Sequence, residues 1–554
     1  MIFFRTPFGA LLPLTRRSFL QQASAFSILP AALPASAQQT MTTMHAHGPM
    51  SQTAPANPTH QPRVPMLHAF ELTPFVDQLL LPERIQPAHH GHKLRVTMRE
   101  VHAKVHRDVP PTRFWSYGSG VLAPVIEARA NQPLEIEWAN ELPAHHFLPI
   151  DFSLHGCGKE LPEVRAVVHV HGARVPTKDD GYPTDWYAPG SSRTCHYPME
   201  QDSATLWYHD HAMGLNRLNI YAGLFGLFLV RDKAEDDLNL PSGKYEVPLL
   251  LYDRDFTTDG QLFYPTSGDP EHPWVPEFYA DGILVNGKIR PFFEVEPRLY
   301  RFRVLNGANS RFFGLSLSHK QPFHQIGSDQ GLLPAPVQLT DLQLAPAERA
   351  DLLIDFSQLA GQNVHLLNGE FEILQFRVAS ATASSSARNG KSSIPATLRP
   401  VPRIPESTAT VTRTITLNEY QDKIGNPMVM LLNRKRWHDP VTEQPRLNST
   451  EIWEFVNLTE DVHPMHLHLV RFQLLDRRTF DVFAYQMRKQ LRFLAPSIPP
   501  EPSEVGWKDT TQCPPGLITR IIVHFDGYPG KYLYHCHILE HESNDMMRPF
   551  EVVA

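Results

Sequence analysis

Proline restricts the fold of this chain more than any other residue. The sequence contains 51 prolines in 554 residues, and a proline inside a helix removes a backbone hydrogen bond and clashes with the preceding turn. Short apolar runs recur between prolines, glycines, asparagines and aspartates, for example the alternating run 134–138 and the continuous run 224–230. Runs of this kind are typical of β-sandwiches and barrels. The sequence therefore predicts an all-β fold.

The length of the chain predicts several domains, because one hydrophobic core does not extend over 554 residues. A stretch rich in Ser, Ala and Pro after residue 378 is typical of a linker. These changes of composition predict six segments: a signal peptide at 1–37, a disordered tail at 38–62, domain 1 at 63–235, domain 2 at 236–378, a linker at 379–405 and domain 3 at 406–554.

The first residues have the form of an export signal. Arg16 and Arg17 precede an apolar stretch that ends in the small residues 35–37. A twin-arginine leader with its cleavage site has this form. We therefore predict export to the periplasm or the exterior, with the mature chain beginning at Gln38. No later stretch approaches the roughly 20 apolar residues of a membrane span, so we expect no membrane partner after cleavage.

The charge of the chain argues against a nucleic-acid partner, and the composition of the tail at 38–62 leaves its role open. The net charge is -7, with 51 basic and 58 acidic residues, and no basic block is present that would follow a phosphate backbone. We expect no nucleic-acid partner. The tail at 38–62 holds several Met and His residues. It is either incidental low-complexity sequence or a weak copper-collecting segment.

The four cysteines are too few for a disulfide scaffold in a chain of this length. Cys157 and Cys195 both lie in the first third, and the sequence leaves open whether they form a disulfide. Cys536 differs from the others because histidines flank it on both sides. It is therefore a candidate metal ligand.

Four His-x-His pairs are the most informative motifs. Alternation on a β-strand points both imidazoles of such a pair to one face, roughly 7 Å apart, which suits ligands of neighbouring metals. One pair alone is weak evidence, but eight paired histidines exceed what a tetrahedral zinc ion uses, and imidazole suits copper. The pattern predicts a cluster of several metals, formed by His169 and His171, His209 and His211, His466 and His468, and His535 and His537.

The last motif predicts a second kind of metal site on the same strand. Alternation turns Cys536 to the face opposite His535 and His537. With His541, a weak axial Met546 and one further histidine, Cys536 completes the ligand set of blue copper. His463 is the natural fourth member because Pro464 keeps it extended and out of the regular spacing. Met547 is expected in the core.

These motifs, H-x-H-G, H-x-H, H-P-x-H-x-H and H-C-H-x-x-x-H-x-x-x-x-M in this order, resemble those of the multicopper oxidases. The segments 207–213, 345–349, 436–440 and 537–542 look like those of the bacterial spore-coat laccases and bilirubin oxidases. The similarity extends from about Lys93 to the end of the chain. It implies three cupredoxin-like Greek-key sandwiches and four copper ions.

The resemblance also assigns ligands position by position. Type 1 copper would be held in domain 3 by His463, Cys536, His541 and Met546. Type 2 copper would be held by His169 and His466. The type 3 pair would be held by His171, His209, His211, His468, His535 and His537. Acidic residues that deliver protons in this family correspond to Glu542 and Asp180, for which structural support of the ligands is the alternative role.

The implied activity is one-electron oxidation of a small aromatic substrate, a phenol, aromatic amine or bilirubin-like tetrapyrrole, coupled to four-electron reduction of dioxygen to water. We expect a monomer. An alternative is a metallo-oxidase of cuprous or ferrous ion in copper homeostasis. Copper-tolerance members of the family resemble each other in a Met-rich insert near type 1 copper, and domain 3 has none, which favours organic substrates. A non-catalytic copper-binding or coat protein would not need both kinds of site.

One departure from the spore-coat relatives concerns the substrate pocket. Those relatives carry a disulfide-linked cysteine just before the strand equivalent to 283–287, where this chain has Tyr279, and the loop at 366–371 looks shortened. We therefore expect a different rim around the substrate pocket and unchanged copper ligands.

Overall fold

The structure is a computed structural model that describes residues 64–87, 93–380, 394–422 and 427–554. The predicted signal peptide, the Met/His-containing tail and part of the predicted linker lie outside the described residues. Strands dominate the described part of the chain, and the predicted all-β fold is confirmed. The predicted domain boundaries remain predictions.

The strands fall into three stretches of the chain, and the first of them, residues 84–231, forms two sheets. Their orders are β1-β4-β9-β8-β6 and β3-β2-β5-β7. The run at 134–138 shows the predicted alternation of burial, and the run at 224–230 is buried throughout. The strands are β1 (Arg84–Ile85), β2 (Lys93–Ala103), β3 (Thr112–Ser116), β4 (Val125–Arg129), β5 (Leu134–Asn140), β6 (Val168–His171), β7 (Ser192–Tyr197), β8 (Ala204–Asp210) and β9 (Phe225–Arg231).

The second stretch also forms two sheets. One has the order β13-β12-β10-β15-β20-β17-β18, with β11 beside β10, and the other has the order β14-β22-β21-β16-β19. The strands are β10 (Glu246–Phe256), β11 (Leu262–Phe263), β12 (Gly282–Val285), β13 (Lys288–Ile289), β14 (Phe292–Val295), β15 (Leu299–Asn306), β16 (Phe313–Leu317), β17 (Phe323–Ser328), β18 (Gly331–Leu339), β19 (Asp341–Leu344), β20 (Arg349–Asp355), β21 (Asn363–Asn368) and β22 (Phe371–Val378).

The third stretch repeats the arrangement with sheets β24-β23-β25-β29-β27 and β28-β26-β30-β31. Its strands are β23 (Val411–Gln421), β24 (Pro427–Leu432), β25 (Thr450–Asn457), β26 (His463–Leu467), β27 (Phe472–Thr479), β28 (Thr510–Cys513), β29 (Leu517–His524), β30 (Gly530–Cys536) and β31 (Met547–Val552).

The helices among the described residues are short and lie in connections. The α-helices are α1 (Asn216–Ala222), α2 (Lys233–Asp236), α3 (Val482–Arg488) and α4 (Leu539–Ser543). The 3-10 helices are Ala69–Glu71, Thr177–Asp179, Gly243–Tyr245, Ser318–Lys320, Glu406–Thr408 and Pro502–Glu504. Within the described ranges, no helix is both long enough and apolar enough to span a bilayer.

In each stretch the two sheets face each other across a buried core. Aromatic pairs bridge the two sheets, for example Trp138 and Tyr208 with ring centroids 5.2 Å apart, Phe302 and Phe376 at 5.3 Å, and Trp453 and Tyr534 at 5.3 Å. Face-to-face packing of this kind defines a β-sandwich. Most buried apolar side chains of each sandwich belong to one large cluster.

A buried ion network joins the first sandwich to the second. Glu246, at the start of β10, accepts hydrogen bonds from Arg231 of β9 at 2.8 Å and from Arg303 of β15 at 2.9 Å. Glu235 of α2 lies 2.7 Å from Arg301. Burial alone would raise the pKa of Glu235, but Arg303, Arg301 and Arg231 outweigh it and lower that pKa to about 2. The network therefore depends on ionised carboxylates.

Candidate metal centre

The paired histidines come together because their strands are neighbours. His169 of β6 lies opposite His209 of β8, and His466 of β26 lies opposite His535 of β30. The prediction that both histidines of a pair lie on one strand is wrong for three of the four pairs. His169 and His171 both lie within β6, whereas His211, His468 and His537 follow the ends of β8, β26 and β30. The backbone leaves the extended form there, and the ring centroids of the four pairs lie 5.0 to 5.9 Å apart.

Histidines from the first and third sandwiches then stack on each other. The rings of His169 and His468 lie 3.8 Å apart, and those of His171 and His466 lie 3.5 Å apart. His211 lies 5.1 Å from His535. All eight paired histidines are at most 1% exposed. The eight imidazoles therefore form one buried cluster between the two sandwiches.

Hydrogen bonds fix which ring nitrogen faces the cluster. The Nδ1 atoms of His169, His209 and His466 bond the backbone carbonyls of Asp180, Asp210 and Asp509 at 2.6, 2.9 and 2.8 Å. A carbonyl only accepts, so Nδ1 carries the proton and Nε2 keeps its lone pair. These three Nε2 atoms have no hydrogen-bond partner among the described residues. Buried lone pairs without a partner fit metal ligation.

The charge state of these rings agrees with ligation. Burial, followed by the neighbouring histidines, lowers the pKa of His209, His211, His466 and His537 well below its usual value. These four rings are therefore neutral at neutral pH, and a neutral imidazole is the form that binds a metal.

Three groups made only of histidines bring ligand atoms within 4.8 Å of one another: His169, His171 and His209; His169, His466 and His468; and His211, His468 and His535. His537 belongs to none of these groups, but its ring lies 5.1 Å from that of His171. The structure thus gathers every histidine predicted for the type 2 and type 3 ions. Their division among individual ions remains a prediction.

A separate buried centre surrounds Cys536. Its Sγ lies 3.5 Å from Nδ1 of His463 and 3.8 Å from Nδ1 of His541, and these two nitrogens are 3.3 Å apart. Met546 is fully buried in the same apolar cluster as Cys536. Met547 instead packs with Met213 and Trp437. A thiolate, two imidazoles and a nearby thioether fit a blue copper ion.

Comparisons with known proteins agree with this ligand chemistry. Family models described as multicopper oxidase match residues 159–235 and 404–554. A laccase of Bacillus subtilis is 45% identical over 513 residues, which cover 87% of this chain and 99% of the laccase. The chain belongs to the multicopper oxidase family. The enzyme is thus a copper-dependent oxidoreductase that uses dioxygen, as the motifs predicted.

Further relatives support the fold. A laccase of Bacillus stratosphericus is 43% identical, over 87% of this chain and 99% of that laccase. The solved structure of the McoA multicopper oxidase of Aquifex aeolicus matches with a TM-score of 0.71 at 28% identity, covering 86% of this chain and 99% of that one. The predicted fold of three cupredoxin-like sandwiches and the predicted resemblance to bacterial laccases are confirmed.

The two carboxylates predicted to handle protons in this multicopper oxidase both touch cluster histidines. Glu542 of α4 lies 3.2 Å from Nδ1 of His535 and 3.5 Å from Nε2 of His211. Asp180 lies 2.8 Å from Nδ1 of His468. Burial raises the pKa of Asp180, although His169 opposes this. The contacts are compatible with proton transfer and with support of the ligands.

Asn216 holds Glu542 in place. Its Nδ2 donates to Oε1 of Glu542 at 2.5 Å, and its Oδ1 accepts from the Ser543 hydroxyl at 2.7 Å. Sequence reasoning did not find Asn216, because it lies on α1, 326 positions from its partner.

The sequence assigned no role to Asp509 or to Arg349, although Arg349 ends the segment 345–349 that resembles the bacterial laccases. Oδ1 of Asp509 lies 3.0 Å from Nε2 of His171, which leaves Nδ1 of that ring to face the cluster. Arg349, from the second sandwich, donates to the same oxygen at 2.9 Å. Gly172 adopts φ +87°, and a Cβ there would lie 2.6 Å from Oδ2 of Asp509. A Cβ there would also clash with Nε2 of Gln330, so the positive φ and these contacts together explain the glycine of the H-x-H-G motif.

A further positioning contact lies beside the Cys536 centre. Asn457 Nδ2 donates to the carbonyls of Asp461 and Cys513, so Oδ1 is its acceptor. The Thr459 hydroxyl donates to that Oδ1 at 2.9 Å, and its oxygen lies 2.7 Å from Nε2 of His463. The hydroxyl oxygen therefore accepts from Nε2–H, and Nδ1 of His463 keeps its lone pair towards Cys536.

All four cysteines are unpaired and buried, so Cys157 and Cys195 form no disulfide in this structure.

At the expected rim of the substrate pocket, Tyr279 is 48% exposed. Burial, then Asp461, raises the pKa of the neighbouring Glu277 to about 8. The segment 366–371, expected to be a loop, mostly lies within β21 and β22, and only Gly369 and Glu370 connect the two strands.

Proposed function

We propose that this protein is a laccase-type oxidase that takes single electrons from phenols, aromatic amines or bilirubin-like tetrapyrroles and reduces dioxygen to water. One observation carries the proposal: His535 and His537 belong to the histidine cluster, and Cys536 between them belongs to the second buried centre. A covalent path of this length suits electron transfer from a one-electron site to a site where oxygen is reduced. The Bacillus laccases that cover most of the chain support the same function.

The proposal includes four copper ions. Type 1 copper is assigned to His463, Cys536, His541 and Met546, type 2 to His169 and His466, and the type 3 pair to the other six cluster histidines. Bound copper would supply the one-electron chemistry. The chain itself supplies neutral imidazoles, a buried thiol and two carboxylates, Glu542 and Asp180, which we assign to proton delivery.

The proposed enzyme works as a monomer exported by the twin-arginine route, without a membrane anchor. Oxidation of cuprous or ferrous ion is less well supported, because the relatives with the highest identity named above are laccases.

Oxygen consumption by the copper-loaded protein tests the proposal. The panel contains 2,6-dimethoxyphenol, p-phenylenediamine, bilirubin, ferrous ion and cuprous ion. We expect turnover of the organic reductants, four electrons consumed per dioxygen, and no accumulated peroxide. Cys536→Ser should lose the blue colour and the turnover. Faster turnover of a metal ion than of every organic reductant would contradict the proposal, as would peroxide as the product.

A further inference from the structure

The connection between β27 and β28 carries a surface that is both apolar and basic, here called the 483–494 surface. Five of its large apolar side chains are exposed: Phe483 by 67%, Met487 by 69%, Leu491 by 48%, Phe493 by 46% and Leu494 by 56%. They make up one third of the exposed large apolar side chains among the described residues. Such a concentration marks an interaction site.

This surface is held in a defined conformation. Asp481 caps α3 by accepting from the backbone N–H of Ala484 at 2.9 Å. The returning chain is tied back by hydrogen bonds from Asp481 N–H to the Arg492 carbonyl and from Leu494 N–H to the Thr479 carbonyl, both 2.9 Å. The exposed side chains therefore project from a folded element.

Helix α3 is apolar on two sides. Val482 and Tyr485 pack on the buried cluster of Val456, Phe480 and Ile518. Phe483 and Met487, one turn apart, face outward instead. A surface helix in water normally presents a polar face to solvent. The outer apolar side of α3 has no partner among the described residues that would explain it.

The charge of this surface opposes that of the chain. Between residues 482 and 500 the charged side chains are Arg488, Lys489 and Arg492, all basic and all exposed, whereas the whole chain carries -7. Arg478, which pairs with Asp476 at 3.0 Å, places its guanidinium 5.6 Å from the ring of Phe493. The preferred partner is therefore anionic as well as apolar.

We infer that the 483–494 surface docks peripherally on an anionic lipid bilayer. Projecting apolar side chains enter the boundary between headgroups and acyl chains, while Arg and Lys remain at the headgroups. A hydrophilic polyanion would use the cations but leave five apolar side chains in water. The expectation of no membrane partner rested on the absence of a spanning segment, and peripheral docking needs none.

Docking has a functional consequence. Nε2 of Gln486 on α3 donates to the carbonyl of Leu458 at 3.5 Å, and Leu458 precedes the Thr459 that bonds His463. The side of the enzyme that carries the Cys536 centre would face the lipid. Reductants dissolved in the bilayer would then be close to the site of electron entry.

Sedimentation of the copper-loaded full chain with vesicles tests the inference. Vesicles of phosphatidylglycerol and phosphatidylethanolamine are compared with vesicles of phosphatidylcholine at low and high salt. We expect binding to the anionic vesicles that weakens with salt, and binding to phosphatidylcholine at least about tenfold weaker. Activity on a water-soluble phenol should stay unchanged in every variant below.

Two triple variants separate the apolar and the charge contributions. Arg488→Gln with Lys489→Gln and Arg492→Gln should weaken anionic binding roughly 100-fold, at roughly fivefold for each cation. Phe483→Ser with Met487→Ser and Leu491→Ser should abolish sedimentation at either salt concentration. As a matched control, Leu80→Ser with Leu81→Ser removes two exposed apolar side chains elsewhere and should bind like the wild type.

Each other outcome overturns the inference. Failure of the wild type to bind anionic vesicles removes the lipid partner, and equal binding to phosphatidylcholine removes the preference for anionic lipid that the inference requires. Unchanged binding by the apolar triple variant would indicate a polyanion-binding surface. A dimer in lipid-free solution that the apolar triple variant dissolves would identify a second copy of the chain as the occupant.

Discussion

Replacing Glu542 by glutamine tests the proton role assigned to this carboxyl. Glutamine keeps the shape and an acceptor for the Asn216 amide, which donates to Oε1 at 2.5 Å. It removes the ionisable oxygen that lies 3.2 Å from Nδ1 of His535. That nitrogen already bonds the Cys536 carbonyl at 3.0 Å, so the new amide group gains no acceptor there.

The contacts set the size of each possible effect. If Glu542 only supports the ligands, the variant loses just the close approach of Oε2 to His535, because Oε2 has no hydrogen-bond partner among the described residues. The cost should then not exceed roughly 1 kcal/mol, or about fivefold in an equilibrium. That loss would appear as weaker copper retention. If Glu542 transfers protons, turnover should fall by roughly 10² to 10⁴ while copper content and blue colour persist.

Stopped-flow measurements separate the two half-reactions. Anaerobic reduction of Glu542→Gln by a phenol should proceed near the wild-type rate, whereas reoxidation of the reduced protein by dioxygen should slow by the same factor as turnover. Glu540→Gln is a matched control, because that buried carboxyl accepts from Tyr264, Asn309 and Ser310. Unchanged reoxidation in Glu542→Gln at full copper occupancy would refute the proton role.

Three further predictions concern tuning and stability. Thr459→Val removes the acceptor for Nε2 of His463 and should weaken type 1 copper retention roughly 10- to 100-fold, while Thr459→Ser retains it; copper analysis after dialysis decides, and equal retention in both would contradict the contact. Met546→Leu should stay blue with a raised type 1 potential in a redox titration, and a colourless product would show that Met546 anchors the metal. Glu235 has its pKa lowered to about 2, so its stabilisation, about 3 kcal/mol at most, is present above pH 4.5 and lost as the pH falls towards 2. Glu235→Gln should therefore lower the unfolding temperature clearly more at pH 7 than at pH 3, and an equal loss at both pH values would exclude the ionic contribution.

Local patterns predicted the features that depend on local geometry. The His-x-His spacing placed two imidazoles on one side of the chain, and neighbouring strands then had to bring the pairs together. Cys536 was separated from its flanking histidines by simple alternation. The same reasoning placed His211, His468 and His537 within strands, where the structure has them just beyond the ends. Strand ends depend on pairing partners, which a local pattern does not contain.

The residues that orient the ligands could not be predicted in the same way. Thr459, Asn216 and Asp509 are ordinary polar residues that act through hydrogen bonds. Thr459 lies four positions from His463, but Asn216 lies 326 positions from Glu542. Asp509 lies 338 positions from His171. No spacing rule connects such residues, and their types are common in turns and at strand ends. Only the buried donors and acceptors in the structure identify them.

The second sandwich provides no predicted copper ligand, yet the cluster depends on it. Arg349, fully buried, donates to Asp509 of the third sandwich, whose carboxylate fixes His171 of the first. Its Nε also donates to the Thr205 carbonyl of β8 at 2.9 Å, two residues from Trp207 in the strand that carries His209. One guanidinium thus holds together both ligand-bearing sandwiches. Because a buried carboxylate without its cation is strongly unfavourable, Asp509 keeps its position, and with it the tautomer of His171, only while all three sandwiches are assembled.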